Sequence, residues 1–299
     1  MTHELTTTPA LTPNRGMSRR QFGILGASAI AGLAAAATIT KALAAPVAAE
    51  VEYAWTTVWE DRFDGTALDE SNWTVYDSAG QTDLRDQQWN HPSMVSVEDG
   101  RLVLRAQDVA TNGFAYRGGT LTTRDKVNLG PSGRLTTRQY VRPGAGVGLG
   151  VVLFGANLSQ VGWPQAGEID ATELALARPG APFASIHGPG YSGENPISAT
   201  YDGALDSLLN RWVEHSLEWE PGKLTWAIDG EVYHEASSSD PRAAGGWPFD
   251  QEQFLVLTMT VGSWASGDVD LSTWPIDGNG IHTARAEFDF VRFEQYLPC

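Results

Sequence analysis

Cysteine is almost absent from this sequence of 299 residues. Its single cysteine, Cys299, is the last residue, so no disulfide can form within the chain and stability must come from a packed core. Basic residues are also few, since 20 Lys and Arg stand against 36 Asp and Glu, a net charge of −16. This charge disfavours nucleic acid and acidic membrane surfaces as partners. A neutral ligand is the class that fits best.

Several catalytic signatures are missing as well. The sequence has no His-Glu-x-x-His and no cluster of cysteines with metal-ligand spacing. The stretch 144–150 is rich in glycine, but the glycines recur with period 2 and no P-loop lysine follows. Gly190-Tyr191-Ser192-Gly193 is followed by Glu194, where a nucleophile elbow needs glycine. Nucleotide, zinc and serine-hydrolase chemistry are therefore not indicated.

The N-terminal segment has the order of a twin-arginine export signal. Ser18-Arg19-Arg20-Gln21-Phe22 precedes an uncharged run from Gly23 to Thr40, and Ala42-Leu43-Ala44 follows as a cleavage site. A membrane anchor is the alternative, although the run is interrupted by glycine and only marginally long for a bilayer. We predict that 1–49 is a removed signal and leader, and that 50–299 is one domain, secreted and extracellular, with no membrane association after processing.

The remainder of the sequence indicates strands. Short segments with alternating apolar residues are separated by Gly, Asp, Asn and Pro, and two of them contain an Asp-Gly turn that predicts a hairpin. The two predicted hairpins and three further strand candidates are 95–105, 224–233, 212–219, 254–261 and 286–293. Helical periodicity is scarce outside the signal, with a turn or two at 204–210. This pattern predicts an all-β sandwich or jelly roll.

Three acids are the most informative feature of the sequence. Glu168 and Asp170 share one face of a predicted strand, because strand side chains alternate with period 2. Glu173 joins that face only if a β-bulge at Ala171-Thr172 inserts one extra residue. Two carboxyl groups facing one bond are what glycoside cleavage requires. On spacing alone, a solvated acidic face or a cation site remains open.

The segments around these acids resemble glycoside hydrolase family 16, the laminarinase-like β-glucanases. The stretch 162–173 is similar to the family's signature in the form with the extra bulge residue. The resemblance extends from about Trp59 to Phe293, nearly the whole predicted mature chain. The other segments that resemble the family are 59–65, 185–193, 217–219, 228–230, 247–250, 254–257 and 288–293.

This resemblance implies a fold and a mechanism. The family's fold is a jelly roll of two curved antiparallel sheets with a concave substrate cleft. Its mechanism retains the anomeric configuration and needs no cofactor for catalysis. Carried over to this sequence, Glu168 is the nucleophile, Asp170 the assisting acid and Glu173 the general acid/base.

The resemblance also suggests substrate-binding residues. Trp163, beside the catalytic strand, is a candidate sugar platform, with a place in the core as the alternative. His187 matches the family's active-site histidine, and its alternative is a packed polar side chain. Arg124 and Trp89 match cleft positions more weakly, and Trp264 fits core and cleft equally.

A structural calcium ion is the one metal that the resemblance suggests. The Asp289 carboxylate and the backbone oxygens of Arg62 and Gly100 would bind it. Oxygen ligands of this kind suit Ca²⁺. Arg62 departs from the acidic residue common at that position, so the predicted site includes a carbonyl beside a positive side chain.

One strand departs from the family pattern in a way that bears on specificity. Residues 146–155 are rich in glycine, with Gly148 and Val152 where aromatics are expected, and Thr258 stands where Asn is common. We expect a monomeric endo-hydrolase of a β-glucan polysaccharide, with β-1,3 or mixed linkages. The alternatives are hydrolysis of another β-glycan, such as a galactan, and a non-catalytic carbohydrate-binding jelly roll.

Overall fold

Strands dominate the part of the chain that the computed structural model describes, residues 52–178, 181–202 and 208–298. The single α-helical turn in this part, α1, is Leu158–Val161, and short 3₁₀ turns lie at Thr82–Leu84, Pro92–Met94, Pro241–Gly245 and Leu271–Thr273. The strands, in chain order, are β1 Tyr53–Asp61, β2 Thr74–Val75, β3 Ser78–Ala79, β4 Gln88–Asn90, β5 Val95–Val97, β6 Leu102–Gln107, β7 Tyr116–Gly118, β8 Thr120–Thr122, β9 Gly133–Val141, β10 Val147–Gly155, β11 Glu168–Ala175, β12 Phe183–His187, β13 Ile197–Thr200, β14 Trp212–Glu220, β15 Lys223–Ile228, β16 Glu231–Ser237, β17 Gln253–Val261 and β18 Thr283–Pro298.

These strands form two sheets. One has eleven strands, in the order β16-β15-β14-β9-β18-β6-β7-β4-β3, with β1 paired to β18 and β5 paired to β6. The other has seven, in the order β13-β12-β11-β10-β17-β8-β2. The pairs are antiparallel except β4 with β7. The predicted all-β jelly roll of two antiparallel sheets is confirmed.

Both predicted Asp-Gly hairpins are present. β5 pairs with β6 around a turn in which Asp99 has φ 51° and Gly100 has φ 70°. β15 pairs with β16 around Asp229 at φ 48° and Gly230 at φ 82°. Two successive residues with positive φ characterise the turn whose twist matches that of the flanking strands. Local chemistry therefore determined these two connections.

The core lies between the sheets and is built by strand alternation. Along β9, odd-numbered residues such as Leu135 are buried, while Arg134 and its even-numbered neighbours lie on the outer face. Trp219 of the eleven-stranded sheet stacks on Phe293 with ring centroids 5.1 Å apart. Trp226 is fully buried. Four tryptophans, Trp73, Trp219, Trp226 and Trp274, thus contribute apolar area to one core, which stabilises the fold without disulfides.

Two of the predictions lie outside the described residues. The export signal at 1–49 is one, and most of the predicted helical turn at 204–210 is the other. Among the helices of the described ranges, none is long and apolar enough to cross a bilayer.

Candidate active site

The strand that carries the three acids contains a β-bulge. Opposite β11, Val151 pairs with Thr172 and Val152 pairs with Asp170, so Ala171 has no partner on β10. The pairing of β11 with β12 shifts at the same place. The bulge predicted at Ala171-Thr172 is confirmed.

This bulge determines which way the acids face. Ile169, before it, and Leu174, after it, both point into the core and are essentially inaccessible to solvent. Glu168, Asp170 and Glu173 line the same cleft on the seven-stranded sheet. Without the extra residue, Glu173 and Leu174 would exchange faces.

A hydrogen bond from a tryptophan of the opposite sheet stabilises the bulge on its core side. The buried Trp226 side chain donates its Nε1–H to the backbone oxygen of Asp170 at 3.0 Å. A carbonyl at an irregular strand position would otherwise lack a partner, and an unpaired buried carbonyl is costly. The core therefore stabilises the irregular backbone that the site needs.

The cleft has a volume of about 470 Å³, and indoles border it. Trp163 and Trp264 both line it and are 46% and 57% exposed. Their alternative placement in the core is therefore wrong. Arg124 also lines the cleft, with its guanidinium 5.4 Å from the centre of the Phe254 ring.

Hydrogen bonds distinguish the two glutamates. Trp163 donates its Nε1–H to Glu168 Oε2 at 2.6 Å. The Ser185 hydroxyl lies between Asp170 and Glu173: it donates a short hydrogen bond to Asp170 Oδ2, and its contact with Glu173 Oε2 is 3.4 Å. Glu168 thus has a strong donor, whereas Glu173 has only a weak one.

His187 is brought to the acids but is not among the residues that line the cleft. Its Nε2 lies 3.3 Å from Asp170 Oδ2, and its ring centroid lies 6.0 Å from that of Trp163. Burial lowers the pKa of His187, but its hydrogen bond to Asp170 and the charges of Asp170 and Glu168 outweigh this, so the pKa is raised. A protonated His187 would partly neutralise Asp170.

Both glutamates have raised pKa values. Burial raises the pKa of Glu168 to about 8, with a further contribution from the charge of Asp170 and opposition from His187 and the Trp163 hydrogen bond. Burial also raises the pKa of Glu173 well above its usual range, and the charges of Asp170 and Glu168 raise it further.

The difference between the two glutamates gives them different protonation states. Glu168 accepts a strong N–H hydrogen bond that favours its carboxylate form, whereas Glu173 faces two negative neighbours. Glu173 therefore keeps its proton at a pH at which Glu168 has lost it. One ionised and one protonated carboxyl group in a single cleft can supply a nucleophile and an acid.

The Trp163→Phe replacement tests this assignment through pH dependence. The variant removes the N–H that stabilises the Glu168 carboxylate, so the pKa of Glu168 rises further. If activity requires ionised Glu168, the acid limb of the kcat/KM–pH profile moves to higher pH by about one unit. The control Trp264→Phe alters an indole with no bond to Glu168 and should leave that limb in place. An unchanged limb in Trp163→Phe would contradict the assignment.

Trp89 is not brought to the cleft. Strand alternation on β4 directs its neighbours Gln88 and Asn90 to the cleft lining, and Trp89 is not among the lining residues. Its Nε1–H donates to Asp77 Oδ1 at 2.7 Å, and its ring lies 5.9 Å from that of Phe114. The structure therefore gives Trp89 contacts with Asp77 and Phe114, and its predicted substrate contact stays a prediction.

The residues of the predicted calcium site do not fit a cation. Arg138 Nη1 lies 2.7 Å from Asp289 Oδ2, so the one carboxylate of the set already holds a positive group. The Arg62 side chain, beside the second predicted ligand, pairs with Glu60 at 3.2 Å. Gly100 occupies a hairpin turn. In the described ranges, no group of three or more His, Cys, Asp or Glu side chains is arranged to hold a metal.

We expect the stability of the protein to be independent of calcium. Because the Arg138 guanidinium neutralises Asp289, neither a chelator nor added Ca²⁺ should shift the thermal unfolding midpoint. Differential scanning calorimetry of one preparation in EDTA, in buffer alone and in CaCl₂ measures this. A lower midpoint in EDTA that CaCl₂ restores would show that the ion pair does not replace the cation.

Two polar residues of the site lie outside the sequence prediction. Ser185, which joins Asp170 to Glu173, could have been identified because it lies two residues before His187 on a strand. Asp86 lines the cleft and is almost fully buried, and its Oδ2 accepts from the backbone N–H of Gln81 at 2.9 Å. Burial raises the pKa of Asp86. No sequence signal distinguishes Asp86 from an ordinary loop acid.

The floor of the cleft is made of small side chains. Gly148, Gly150 and Val152 of β10 line it, as their sequence pattern predicts. Aromatic surface is present nearby instead: Phe154 stacks on Phe254 at 5.7 Å, and both line the cleft. Phe154 of β10 pairs with Glu168 of β11, so these two rings lie beside the Glu168 end of the catalytic strand.

A jelly roll with paired acids in unequal hydrogen-bonding surroundings, set between exposed indoles, is the arrangement of a glycoside hydrolase. The family model of glycosyl hydrolases family 16 matches residues 83–289. The chain belongs to this family and is an enzyme of the glycoside hydrolase class.

Three similar proteins illustrate the relationship. A glucan endo-1,3-β-glucosidase A1 of Niallia circulans is 26% identical over 237 residues, 69% of this chain, which spans only about a third (33%) of that relative. A β-glucanase of Rhodothermus marinus is 25% identical over 81% of this chain and 86% of its own length. The solved endo-β-1,3-glucanase of Pyrococcus furiosus has a TM-score of 0.75 and 26% identity, with 82% of this chain and 96% of that chain covered.

Proposed function

We propose that this protein is a secreted endo-hydrolase of a β-glucan and that it retains the anomeric configuration. The observation that carries the proposal is the bulged strand β11, which turns Glu168, Asp170 and Glu173 to one cleft. The unequal hydrogen bonding of the two glutamates supports separate roles for them.

In the first step, the ionised Glu168 carboxylate attacks the anomeric carbon, and the C–O bond to the leaving sugar breaks. Glu173 gives its proton to the departing oxygen, so a glycosyl ester on Glu168 and a free sugar hydroxyl result. Asp170 lies between them on the strand, and its charge raises the proton affinity of Glu173. The Trp163 N–H stabilises the Glu168 carboxylate before the attack.

In the second step, Glu173 is a carboxylate and removes a proton from water. The water oxygen attacks the anomeric carbon, the ester bond to Glu168 breaks, and both glutamates return to their initial states. Two inversions give net retention. A separation of about 5–5.5 Å between the carboxyl groups is the geometry that this sequence of steps requires.

The polymer that we propose is a β-glucan with β-1,3 or mixed linkages. The similar proteins named above carry glucanase and β-1,3-glucosidase names. The exposed faces of Trp163 and Trp264 suit a neutral polysaccharide chain that passes along the cleft, because flat aromatic faces can stack on pyranose rings.

The glycine floor favours a second candidate, a galactan or another β-glycan. Gly148, Gly150 and Val152 leave no ring on which a glucose unit could stack at the middle of the cleft. A sugar with a different hydroxyl arrangement could contact the threonines there instead, since Thr258 and Thr260 also line the cleft.

Hydrolysis of three polymers distinguishes these candidates. The wild type and Glu168→Gln are incubated with laminarin, lichenan and agarose, and reducing ends are measured. We expect release from laminarin or lichenan by the wild type alone, whereas release only from agarose would favour the galactan. Proton NMR of the first product reports the anomer, and an inverted anomer would contradict the roles assigned to Glu168 and Glu173.

We also propose that residues 1–49 direct export by the twin-arginine route and that the enzyme acts as a monomer. Ser18-Arg19-Arg20-Gln21-Phe22 and the following apolar run support the route. Expression of the full chain with Arg19→Lys and Arg20→Lys should leave activity inside the cells. Equal extracellular activity of the wild-type chain and this double variant would contradict the twin-arginine route. Sedimentation velocity of the exported enzyme tests the monomer.

A further inference from the structure

Exposed aromatic rings occur in two separate places. In the described part of the chain, four large aromatic side chains are exposed: Trp163, Trp264, Tyr53 and Tyr296. The first two line the catalytic cleft. The other two lie together on β1 and β18, and neither is among the residues that line the cleft.

Tyr296 packs against both Tyr53 and Trp55. The ring centroids of Tyr53 and Tyr296 are 5.7 Å apart at an interplanar angle of 24°, and those of Trp55 and Tyr296 are 5.5 Å apart. Trp55 pairs directly with Tyr296 across the two strands, so both side chains share one face of the sheet. We call these three residues the outer aromatic platform.

The platform lies on the outer face of the eleven-stranded sheet. Phe293 on β18 points into the core. Because strand side chains alternate, Glu294 and Tyr296 lie on the other, outer face of the strand. The rings face solvent on the side away from the core. The cleft, by contrast, is built mainly on the seven-stranded sheet. A chain bound at the platform would not compete with one in the cleft.

Polar partners hold the platform in position. The Arg134 guanidinium lies 4.3 Å from the centre of the Trp55 ring. Arg134 also donates to Glu294 Oε2 at 2.9 Å and to Glu218 Oε1 at 3.3 Å. The cation is thus neutralised, and the Trp55 ring is fixed before any ligand arrives, which lowers the entropic cost of binding.

We infer that the outer aromatic platform is a second, non-catalytic binding site for a neutral β-glycan chain. Two exposed tyrosines beside a fixed tryptophan offer ring faces for stacking and hydroxyls for hydrogen bonds with sugars. The ion-paired surroundings and the net charge of −16 disfavour a polyanion. The inference rests on the proposed function only for the identity of the polymer.

The platform also provides a physical advantage for a polymer-degrading enzyme. Binding of an insoluble chain at a second site keeps the enzyme at the polymer surface and raises the effective concentration of substrate at the cleft. We therefore expect the platform to matter for insoluble polymer and not for short soluble oligosaccharides.

The test measures partition of the full chain onto insoluble glycan. Glu168→Gln is included in every binding variant so that the polymer is not consumed, and curdlan particles and agarose beads are the two probes. On the polymer that the wild type cleaves, adding Tyr53→Ala and Tyr296→Ala should weaken partition by about tenfold, since two ring faces are lost. Tyr53→Phe with Tyr296→Phe keeps both ring faces and should retain most of the binding.

A second measurement separates the platform from the cleft and from folding. Without the Glu168 change, the double alanine variant should hydrolyse short soluble oligosaccharides at the wild-type rate and unfold at an unchanged temperature. Equal partition of the alanine and parent chains would overturn the inference. So would sedimentation data in which the parent is a dimer and the alanine variant a monomer, because the rings would then contact a second copy. If the wild type cleaves none of the polymers in the hydrolysis assay, the proposed function fails, and this result is separate from the binding result.

Discussion

Replacement of Glu168 by Ala is expected to lower kcat on soluble β-glucan by about 10⁴-fold or more, because the first bond cannot form without a nucleophile. Glu168 faces the cleft from β11, and the Trp163 N–H at 2.6 Å stabilises its carboxylate. The alanine side chain leaves space where the carboxylate lay. Initial rates of reducing-end release, measured with a large enzyme excess for the variant, give the ratio.

Sodium azide provides the decisive control for the nucleophile. A small anion can enter the space left by Glu168→Ala and attack the anomeric carbon once, with Glu173 still available as the acid. On an activated aryl glycoside, we expect azide to restore turnover and to give a glycosyl azide of inverted configuration. The matched control Glu194→Gln changes an exposed acid and should behave as the wild type. A restored product of retained configuration would instead assign Glu168 as the acid/base.

The second large effect is expected from Glu173→Gln, which should lower kcat/KM on polysaccharide by about 10²–10⁴-fold, the usual contribution of general acid catalysis. The amide has nearly the shape of the carboxyl group but cannot give a proton to the departing sugar. Glycosides with a good aryl leaving group need little protonation, so the first step on such substrates should be much less affected. Parallel kinetics on both substrate types measure this difference.

The pH profile offers an independent check on Glu173. Burial and the charges of Asp170 and Glu168 raise the pKa of Glu173, so in the wild type activity falls at high pH when Glu173 loses its proton. The variant Glu173→Gln has no proton to lose there, and its alkaline limb should disappear on aryl glycosides. An alkaline limb that remains in Glu173→Gln would mean that another group is the acid.

Much of the fold could be predicted because it follows from local chemistry. Asp99-Gly100 and Asp229-Gly230 adopt the backbone angles that two-residue hairpins need, whatever surrounds them. Alternation along Gln253–Val261 and Trp212–Glu220 likewise predicts strands with one buried face. Even the bulge was predictable, because Glu168, Asp170 and Glu173 reach a common face only with one extra residue.

Other features could not be predicted because they depend on contacts between distant segments. Trp89 donates a hydrogen bond to Asp77. Strand alternation shows that Trp89 and its neighbours face opposite sides, but it does not show which side is the cleft. Asp289 is neutralised by Arg138, 151 positions earlier in the chain. The support of the bulge by Trp226 across the core is a third such contact.

The sequence by itself determined the all-β class, the family and the three acids of the catalytic strand. The class and the acids depend on residue type and local spacing, and the family depends on the order of such local motifs along the chain. Only the tertiary structure decided the unequal hydrogen bonding of Glu168 and Glu173, the ion pair of Asp289 with Arg138 and the pairing of Trp55 with Tyr296 on the outer face. The physical reason is that burial, charge and ring contact depend on which segments meet, and strand order in the two sheets sets those meetings.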